Sequence, residues 1–453
     1  MRCYCTYRNC ATTELKVVTS YTSWAYVPTS TQKAIKPAWM DFDLGATTGS
    51  LLPYGNGRSY GDSCLNSSGL VIDSKSLNRF ISFDTEQGIL RCEAGTMFAD
   101  ILQFIVPTGW FLPVTPGTKY VTLGGAIAND VHGKNHHHDG TIGRHIRCFE
   151  LLRSDGKSLI CSPKENTDFF AATIGGLGLT GFISWAEIQL IKIPSPFMSV
   201  ETTVFHGLEE FQTLSEQANT NHRYSVAWLD CASSGKDFAR GLFMVGDHAN
   251  SDKEEKERVL EPKISVPFNL PKQMINKYSV KAFNTLYFNK NRLNEGKIIY
   301  QHYDSFFYPL DGIGNWNRIY GSQGFYQYQF VVPSSQLSVM EQALNKIVAS
   351  GLGSFLAVLK EFGDLPSPGM LSFPSPGLCL ALDFANRGET TLALLQQLDQ
   401  LVINAGGKVY PAKDVRMPQA AFQSYYPNYE EFEAYIDPRF ISDFWRRVSE
   451  KKS

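Results

Sequence analysis

Three glycine-rich stretches in the first two hundred residues hold the residue types best suited to chemistry in this 453-residue chain. They are G-N-G-R-S-Y-G-D (Gly55 to Asp62), the run from Pro116 to Asp139 that includes T-L-G-G-A-I-A-N-D-V-H-G-K-N-H-H-H-D, and I-G-G-L-G-L-T-G (Ile174 to Gly181). The longest combines glycine, small residues and polar donors, with almost no bulky side chain before its histidines. Backbone pressed against a large anionic ligand needs this composition, because a side chain at Gly124 or Gly125 would hold the ligand off. Backbone amides in such loops make anion-binding concavities. The three loops together predict one phosphate-bearing cofactor, with Arg58 available to neutralise charge. A plain turn carrying a surface arginine is the competing reading for the first loop.

Gly176 to Gly181 matches G-x-G-x-x-G, but its context does not suit a nicotinamide Rossmann site. That motif must follow a strand and open a helix. Here the preceding residues have helical character, and F-I-S-W-A-E-I-Q-L-I after it alternates like a strand. The run His136 to His138 invites a metal, yet neighbouring residues of an extended chain point to opposite faces. No metal is expected.

The elements that must position these loops are partly visible. Leu70 to Asp73 and Gly88 to Glu93 have strand character. Thr96 is expected to cap a helix whose residues Phe98, Ile101, Leu102 and Ile105 share one face, with Pro107 and Gly109 closing it. A strand near Phe149 to Arg153, a turn at Asp155 and Gly156, a short helix from Thr167 to Thr173 and a long strand from Phe182 to Ile193 follow. Pro194 and Pro196 mark a boundary. Beyond Phe197 comes charged, loop-like sequence around Asp252 to Arg258 and Pro262 to Pro271. Strands then follow near Tyr300, Tyr326 to Val332, Phe355 to Lys360 and Cys379 to Phe384. Helices are expected at Leu337 to Ala349, Leu392 to Ile403 (ended by Gly406 and Gly407) and Phe440 to Lys451.

Composition narrows the class. A hydrophobic share of 43% with 19% charged residues is ordinary for a globular enzyme. A net charge of −2 gives no case for nucleic acid. No window approaches the ~18 apolar residues of a membrane span, and the polar N-terminus lacks a secretory core. Nine scattered cysteines, with Cys3, Cys5 and Cys10 clustered, indicate free thiols in a reducing, cytoplasmic setting. Aromatic residues concentrate after residue 280, as an aromatic β-core or as a surface enclosing a flat or lipid-bearing substrate.

The three loops, in this order and spacing, resemble those of FAD-dependent oxidases of the vanillyl-alcohol-oxidase type with a PCMH-type flavin domain. N-W-N-R-I-Y-G (Asn315 to Gly321), F-Y-Q-Y-Q-F (Phe325 to Phe330), L-S-F-P-x-P-G (Leu371 to Gly377) and Y-P-A-K-D (Tyr410 to Asp414) extend the resemblance over roughly residues 50 to 453. The region near Trp24 also matches. The resemblance implies an α+β fold. A two-subdomain FAD-binding domain would span 1–196, its first 17 or so residues an unassigned extension. A substrate-binding cap domain with an antiparallel sheet flanked by helices would span 197–405, and 406–453 would return to the FAD domain.

It also implies roles. Gly55, Asn56, Gly57, Arg58, Ser59, Tyr60 and Gly61 would form one wall of the FAD site. Pro116, Gly117, Thr118, Thr122, Gly124, Gly125, Ala128 and His132 would line pyrophosphate and ribityl chain. Gly178, Gly181 and Ile183 would approach the adenine side or ring edge, and Tyr410 would contact the flavin. Tyr60 stands where covalently flavinylated relatives carry histidine, so FAD is expected to bind non-covalently. Lys413 is the expected catalytic cation, stabilising charge that develops on the reduced flavin, against the alternative of a surface pair with Asp414. His132 is either a base for the substrate hydroxyl or a hydrogen-bonded pocket residue. Lys134, Tyr320, Gln327, Gln329, Lys360, Cys379 and Lys413 would meet substrate. The family's pocket cysteine is replaced by Ala381, with Cys379 about 7 Å away on the same strand face.

The implied reaction is oxidation of a sugar secondary alcohol to a ketone. The expected substrate is a polyprenyl-phosphoryl pentose oxidised at its 2'-hydroxyl, as the first half of an epimerisation completed by a separate keto-sugar reductase. A lipid-linked sugar implies peripheral contact with a membrane. An aldonolactone or alditol oxidase acting on a soluble sugar, and a flavin- or metal-binding protein without turnover, are the alternatives.

Overall fold

Short β-branched and aromatic runs with period-two burial generate most of the architecture. The computed structural model describes residues 16–18, 21–40, 42–250 and 264–449. The clustered Cys3, Cys5 and Cys10 and the charged run 252–258 lie outside them. The six described cysteines are all free thiols.

A four-stranded sheet has the order Lys16–Val18, Gln32–Ile35, Leu70–Asp73, Leu51–Tyr54, with the last three strands parallel. A five-stranded antiparallel sheet follows the order Phe80–Asp84, Ile89–Glu93, Phe182–Gln189, Ile146–Leu152, Ser158–Cys161. The helix Phe98–Ile105 buries Phe98, Ile101, Leu102 and Ile105 completely, as their spacing predicts. Its cap differs from expectation. Met97 occupies the N-cap and the Thr96 hydroxyl has no hydrogen-bond partner, so tertiary packing rather than a side-chain cap starts this helix. The expected strand from Phe182 to Ile193 is two strands: Phe182–Gln189 stays in the five-stranded sheet, while Ile191–Lys192 pairs with Trp110–Phe111.

An eight-stranded antiparallel sheet has the order Ile298–His302, Phe197–His206, Arg240–His248, Tyr224–Leu229, Ala357–Phe362, Gly377–Ala385, Phe325–Val332, Lys408–Val409. Helices Leu208–Asn221, Leu337–Ser350 and Glu389–Asn404 cover one face, where Tyr328 and Phe330 pack in the same core as Phe211, Leu344 and Leu395. Alternation turns Gln327 and Gln329 to the opposite face.

Two of these strands leave weak signals in sequence. Tyr224–Leu229 is buried at all six positions and shows no alternation. Arg240–His248 carries two glycines, and a Cβ on Gly241 would lie 2.3 Å from the Phe205 ring. Close packing excludes the residues that would have marked this strand.

After Lys408–Val409 the chain crosses back. Leu51 and Phe440 form a parallel bridge, Asp443 accepts from Ser67, and Arg447 pairs with Asp62 at 2.8 Å. The terminal helix is shorter than expected, Asp443–Val448. Ser442 caps it by accepting from the Trp445 amide, and residues 450 and 451 lie outside those described.

Candidate active site

The three glycine-rich loops are knitted to one another and to the C-terminal turn. The first follows strand Leu51–Tyr54. The Trp24 amide donates to Ser59 O (2.8 Å) and the Tyr60 amide to Ala412 O (2.9 Å), which clamps the loop between distant parts of the chain. The second holds the short helix Leu123–Ala128, where the Thr122 hydroxyl accepts from the Gly125 amide. The third donates Gly175 N to Ile127 O and Leu177 N to Ala128 O, so it is fastened onto that helix. It is preceded by helix Thr167–Thr173 and followed by strand Phe182–Gln189, the reverse of a Rossmann turn.

They surround a cavity of about 580 Å³. Of the expected cofactor residues, Gly55, Asn56, Gly57, Arg58, Ser59, Tyr60, Pro116, Gly117, Thr118, Thr122, Gly124, Gly125, Ala128, His132, Gly178, Gly181, Ile183 and Tyr410 line it. Gly61 does not. A Cβ there would sit 1.6 Å from Asp414 O, so this glycine admits the C-terminal turn rather than a ligand.

The glycines also divide differently from the expectation. A Cβ on Gly124 would meet the Ala94 Cβ at 2.9 Å, and one on Gly125 the Thr122 hydroxyl at 2.9 Å. Both permit close packing of helix, cap and sheet. At Gly117, which borders the cavity, a Cβ would meet no protein atom within 4 Å, as a cradle for a bound cofactor requires. Arg58 lies over the Trp24 ring at 3.9 Å, and burial lowers its pKa, partly offset by Asp311. A buried cation and a row of backbone amides fit the pyrophosphate of FAD.

The opposite wall comes from the sheet: Gln327, Gln329, Val358, Lys360 and Ala381. Gln329 donates to His132 Nε2 at 2.8 Å, and Lys360 Nζ to Gly133 O at 3.3 Å. The 3₁₀ turn Pro411–Lys413 delivers Lys413, whose Nζ lies 3.8 Å from the Tyr60 ring centroid. Lys413 does not pair with Asp414, which faces Arg447 at 3.1 Å. Tyr410 is anchored through its hydroxyl to Asn129 O (2.8 Å).

Burial dominates the electrostatics. It brings the Lys413 pKa down to about 7, with Asp383 opposing and Lys360 adding to the fall. Burial lowers Lys360 as well, and holds His132 well below the usual histidine range. Asp383 is pushed up to about 7 by burial, despite a 2.7 Å hydrogen bond from Gln327 and the nearby Lys413. Asp383 was not anticipated from the sequence; its neighbour relation to Gln327 arises only from strand register. Trp24 and Asp311 were missed for the same reason, each being brought in from a remote segment.

Three expected substrate residues stand outside the cavity wall. Lys134 donates to Phe306 O and lies over the Phe306 ring at 4.4 Å, turned towards the helix Tyr303–Phe307. Tyr320 is buried and stacks on Phe325 at 4.3 Å. Cys379 is fully buried beneath Gln329, its Sγ 3.4 Å from that amide, with Ala381 taking the wall position. The three histidines sit in a single helical turn and diverge. His136 packs on Phe362, His137 Nε2 contacts His222 O at 2.9 Å, and His138 approaches Asp139 at 3.3 Å.

Comparison with known proteins gives this geometry a context. Residues 45–162 match the family model described as an FAD binding domain. The chain is 36% identical over 408 residues to decaprenylphosphoryl-beta-D-ribose oxidase of Mycolicibacterium smegmatis, covering 87% of this chain and 88% of that protein. It is 30% identical to an uncharacterized protein in the mprA 5' region of Streptomyces coelicolor, covering 77% of this chain and 98% of that one. L-gulonolactone oxidase of Mus musculus is 28% identical over 39% of each chain.

Proposed function

This chain belongs to the family of decaprenylphosphoryl-beta-D-ribose oxidase and is an FAD-dependent oxidoreductase; from that membership we propose that it oxidises the 2'-hydroxyl of a polyprenyl-phosphoryl pentose to a ketone. FAD, when bound, supplies the two-electron acceptor for the hydride leaving the substrate carbon. Lys413 provides positive charge in a dry site, where it is worth far more than in water. Gln327 and Gln329 project from one strand face as hydrogen-bonding groups for a sugar. Lys360 offers a buried cation for substrate phosphate or alkoxide oxygen. His132, held neutral by burial, can take the hydroxyl proton at Nε2 when the substrate hydroxyl replaces the Gln329 amide that donates there.

The observation that carries this reading is that Lys413, Lys360, His132 and the two glutamines line the same cavity as the glycine loops. The oxidation is the first half of an epimerisation, with a separate reductase acting on the keto product. FAD is held without a covalent bond, and residues 1–196 with 406–453 hold it while 197–405 bind substrate. The substitution of alanine at 381 leaves the wall smaller near the sugar than a cysteine would.

Anaerobic addition of a polyprenyl-phosphoryl ribose to the yellow protein tests the reaction. Bleaching of the flavin and recovery of the 2'-keto product are expected. Bleaching by a soluble aldonolactone but not by the lipid-linked pentose would overturn the reading in favour of a lactone oxidase. A protein without flavin would overturn both.

A further inference from the structure

Eleven of the fifteen exposed large apolar side chains among the described residues fall between Ile264 and Ile313. The stretch begins and ends at the cavity mouth. Ile264–Ser265 pairs in parallel with Ile313–Gly314, and Ser265, Ile313 and Gly314 line the cavity. Ile264 is 70% exposed beside them.

Between these strands runs the helix Lys277–Asn291. Its inner side is fixed by Val280, Asn284 and Phe288, all buried, and the Asn284 amide donates to Asp230 and to Ser354 O at 3.1 Å each. That anchoring directs Tyr278 and Leu286 outward, 74% and 71% exposed. The outer side of this helix therefore mixes exposed apolar residues with lysines instead of being uniformly polar. Leu293, Ile298 and Tyr300 continue the exposed apolar residues along the chain.

Charge on the same stretch is one-sided. Lys272, Lys277, Lys281, Lys290, Arg292 and Lys297 are exposed between residues 264 and 300, against the single acidic Glu295, in a chain whose net charge is −2. Exposed apolar residues interleaved with lysine and arginine are the composition that lies in a bilayer interface and attracts anionic lipid. A second copy of this chain would bring like charges together, which disfavours self-association through this face.

We infer that residues 264–313 form a docking face for an anionic lipid bilayer, holding the cavity mouth at the membrane surface. The benefit of that position rests on the lipid-linked substrate proposed above; the docking itself does not.

Flotation of the holoprotein with vesicles tests it. Phosphatidylcholine alone is compared with phosphatidylcholine and phosphatidylglycerol in equal parts. Binding to the anionic vesicles at least about tenfold stronger than to the neutral ones, and weakened by salt, is expected. A double variant Tyr278→Glu/Leu286→Glu and a second, Lys281→Glu/Lys290→Glu, should each lose about tenfold in binding while keeping FAD content and turnover in detergent. Absence of flotation, or flotation unchanged in both variants, overturns the inference. So does a holoprotein dimer that Leu286→Glu converts to monomer without any vesicle binding. Turnover of the unsubstituted holoprotein in detergent is measured separately, so its failure to float with turnover present refutes the docking alone, and its flotation without turnover refutes the reaction alone.

Discussion

Nε2 of Gln329 stands 2.8 Å from Nε2 of His132. The amide nitrogen can only donate, so the imidazole accepts there and carries its own proton on Nδ1, a buried atom without a hydrogen-bond partner. A sheet residue thus sets the tautomer of a residue on the glycine-loop side. Burial, reinforced by Lys360, His136 and Lys413, keeps the ring neutral. His132→Gln should retain FAD and lower the rate of anaerobic flavin reduction by roughly 10²-fold, the scale of general-base catalysis. An unchanged rate would restrict His132 to packing.

Lys413→Met should lower flavin reduction by about 10²–10³, as removal of one preorganised electrostatic partner does elsewhere. Stopped-flow absorbance measures it. Since Lys413 sits over the Tyr60 ring at 3.8 Å, Lys413→Arg should recover little, because the larger planar group cannot occupy the same point.

The pH profile carries a sign. Lys413 is depressed to about 7, chiefly by burial, and Asp383 opposes that depression. The cationic form is present below this value and lost as pH rises through it, so flavin reduction should fall on the alkaline side. Asp383→Asn removes the opposing charge. The alkaline limb should then move to lower pH, with FAD content unchanged. A limb that stays in place would mean that Asp383 does not act through Lys413.

Two glycines separate cofactor binding from packing. Gly117→Val should weaken FAD binding while leaving the stability of the FAD-free protein near wild type, because its side chain enters the cavity. Gly124→Val should destabilise the FAD-free protein, by about 1–3 kcal/mol as overpacking typically does, since the Ala94 Cβ lies 2.9 Å from the new atom. Chemical denaturation with and without FAD distinguishes them.

Acid precipitation should release FAD to the supernatant, because Tyr60 cannot form a histidyl link. The Tyr60 ring packs edge-on to Phe325 at 5.6 Å. Colour retained in the pellet would require another attachment residue.

Much of the cofactor side was legible before any coordinates. Loop residues such as Gly57, Pro116 and Gly178 line the cavity because their composition answers to local backbone demands, which act over a few residues. The sheet wall was legible only in part. Gln327 and Gln329 share a face by the period of a strand, but Lys134 turns towards Phe306, 172 residues away, and Tyr320 folds back to stack on Phe325. Strand Tyr224–Leu229 left no periodic signal, since both of its faces are buried.

Whereas FAD and the role of Lys413 were implied by the family resemblance, the amino-acid order by itself determined the loops, a lysine at 413, the helix-before, strand-after context of Gly176 to Gly181 and a demand for a phosphate-bearing ligand. These depend on residue type and near-neighbour spacing. Tertiary structure alone decided that Asp383 sits behind Gln327, that Cys379 is buried below Gln329, and that Gly124 answers to Ala94 rather than to a ligand. Those relations come from strand register and the approach of segments tens to hundreds of residues apart, and no local pattern encodes which side chains such an approach will join.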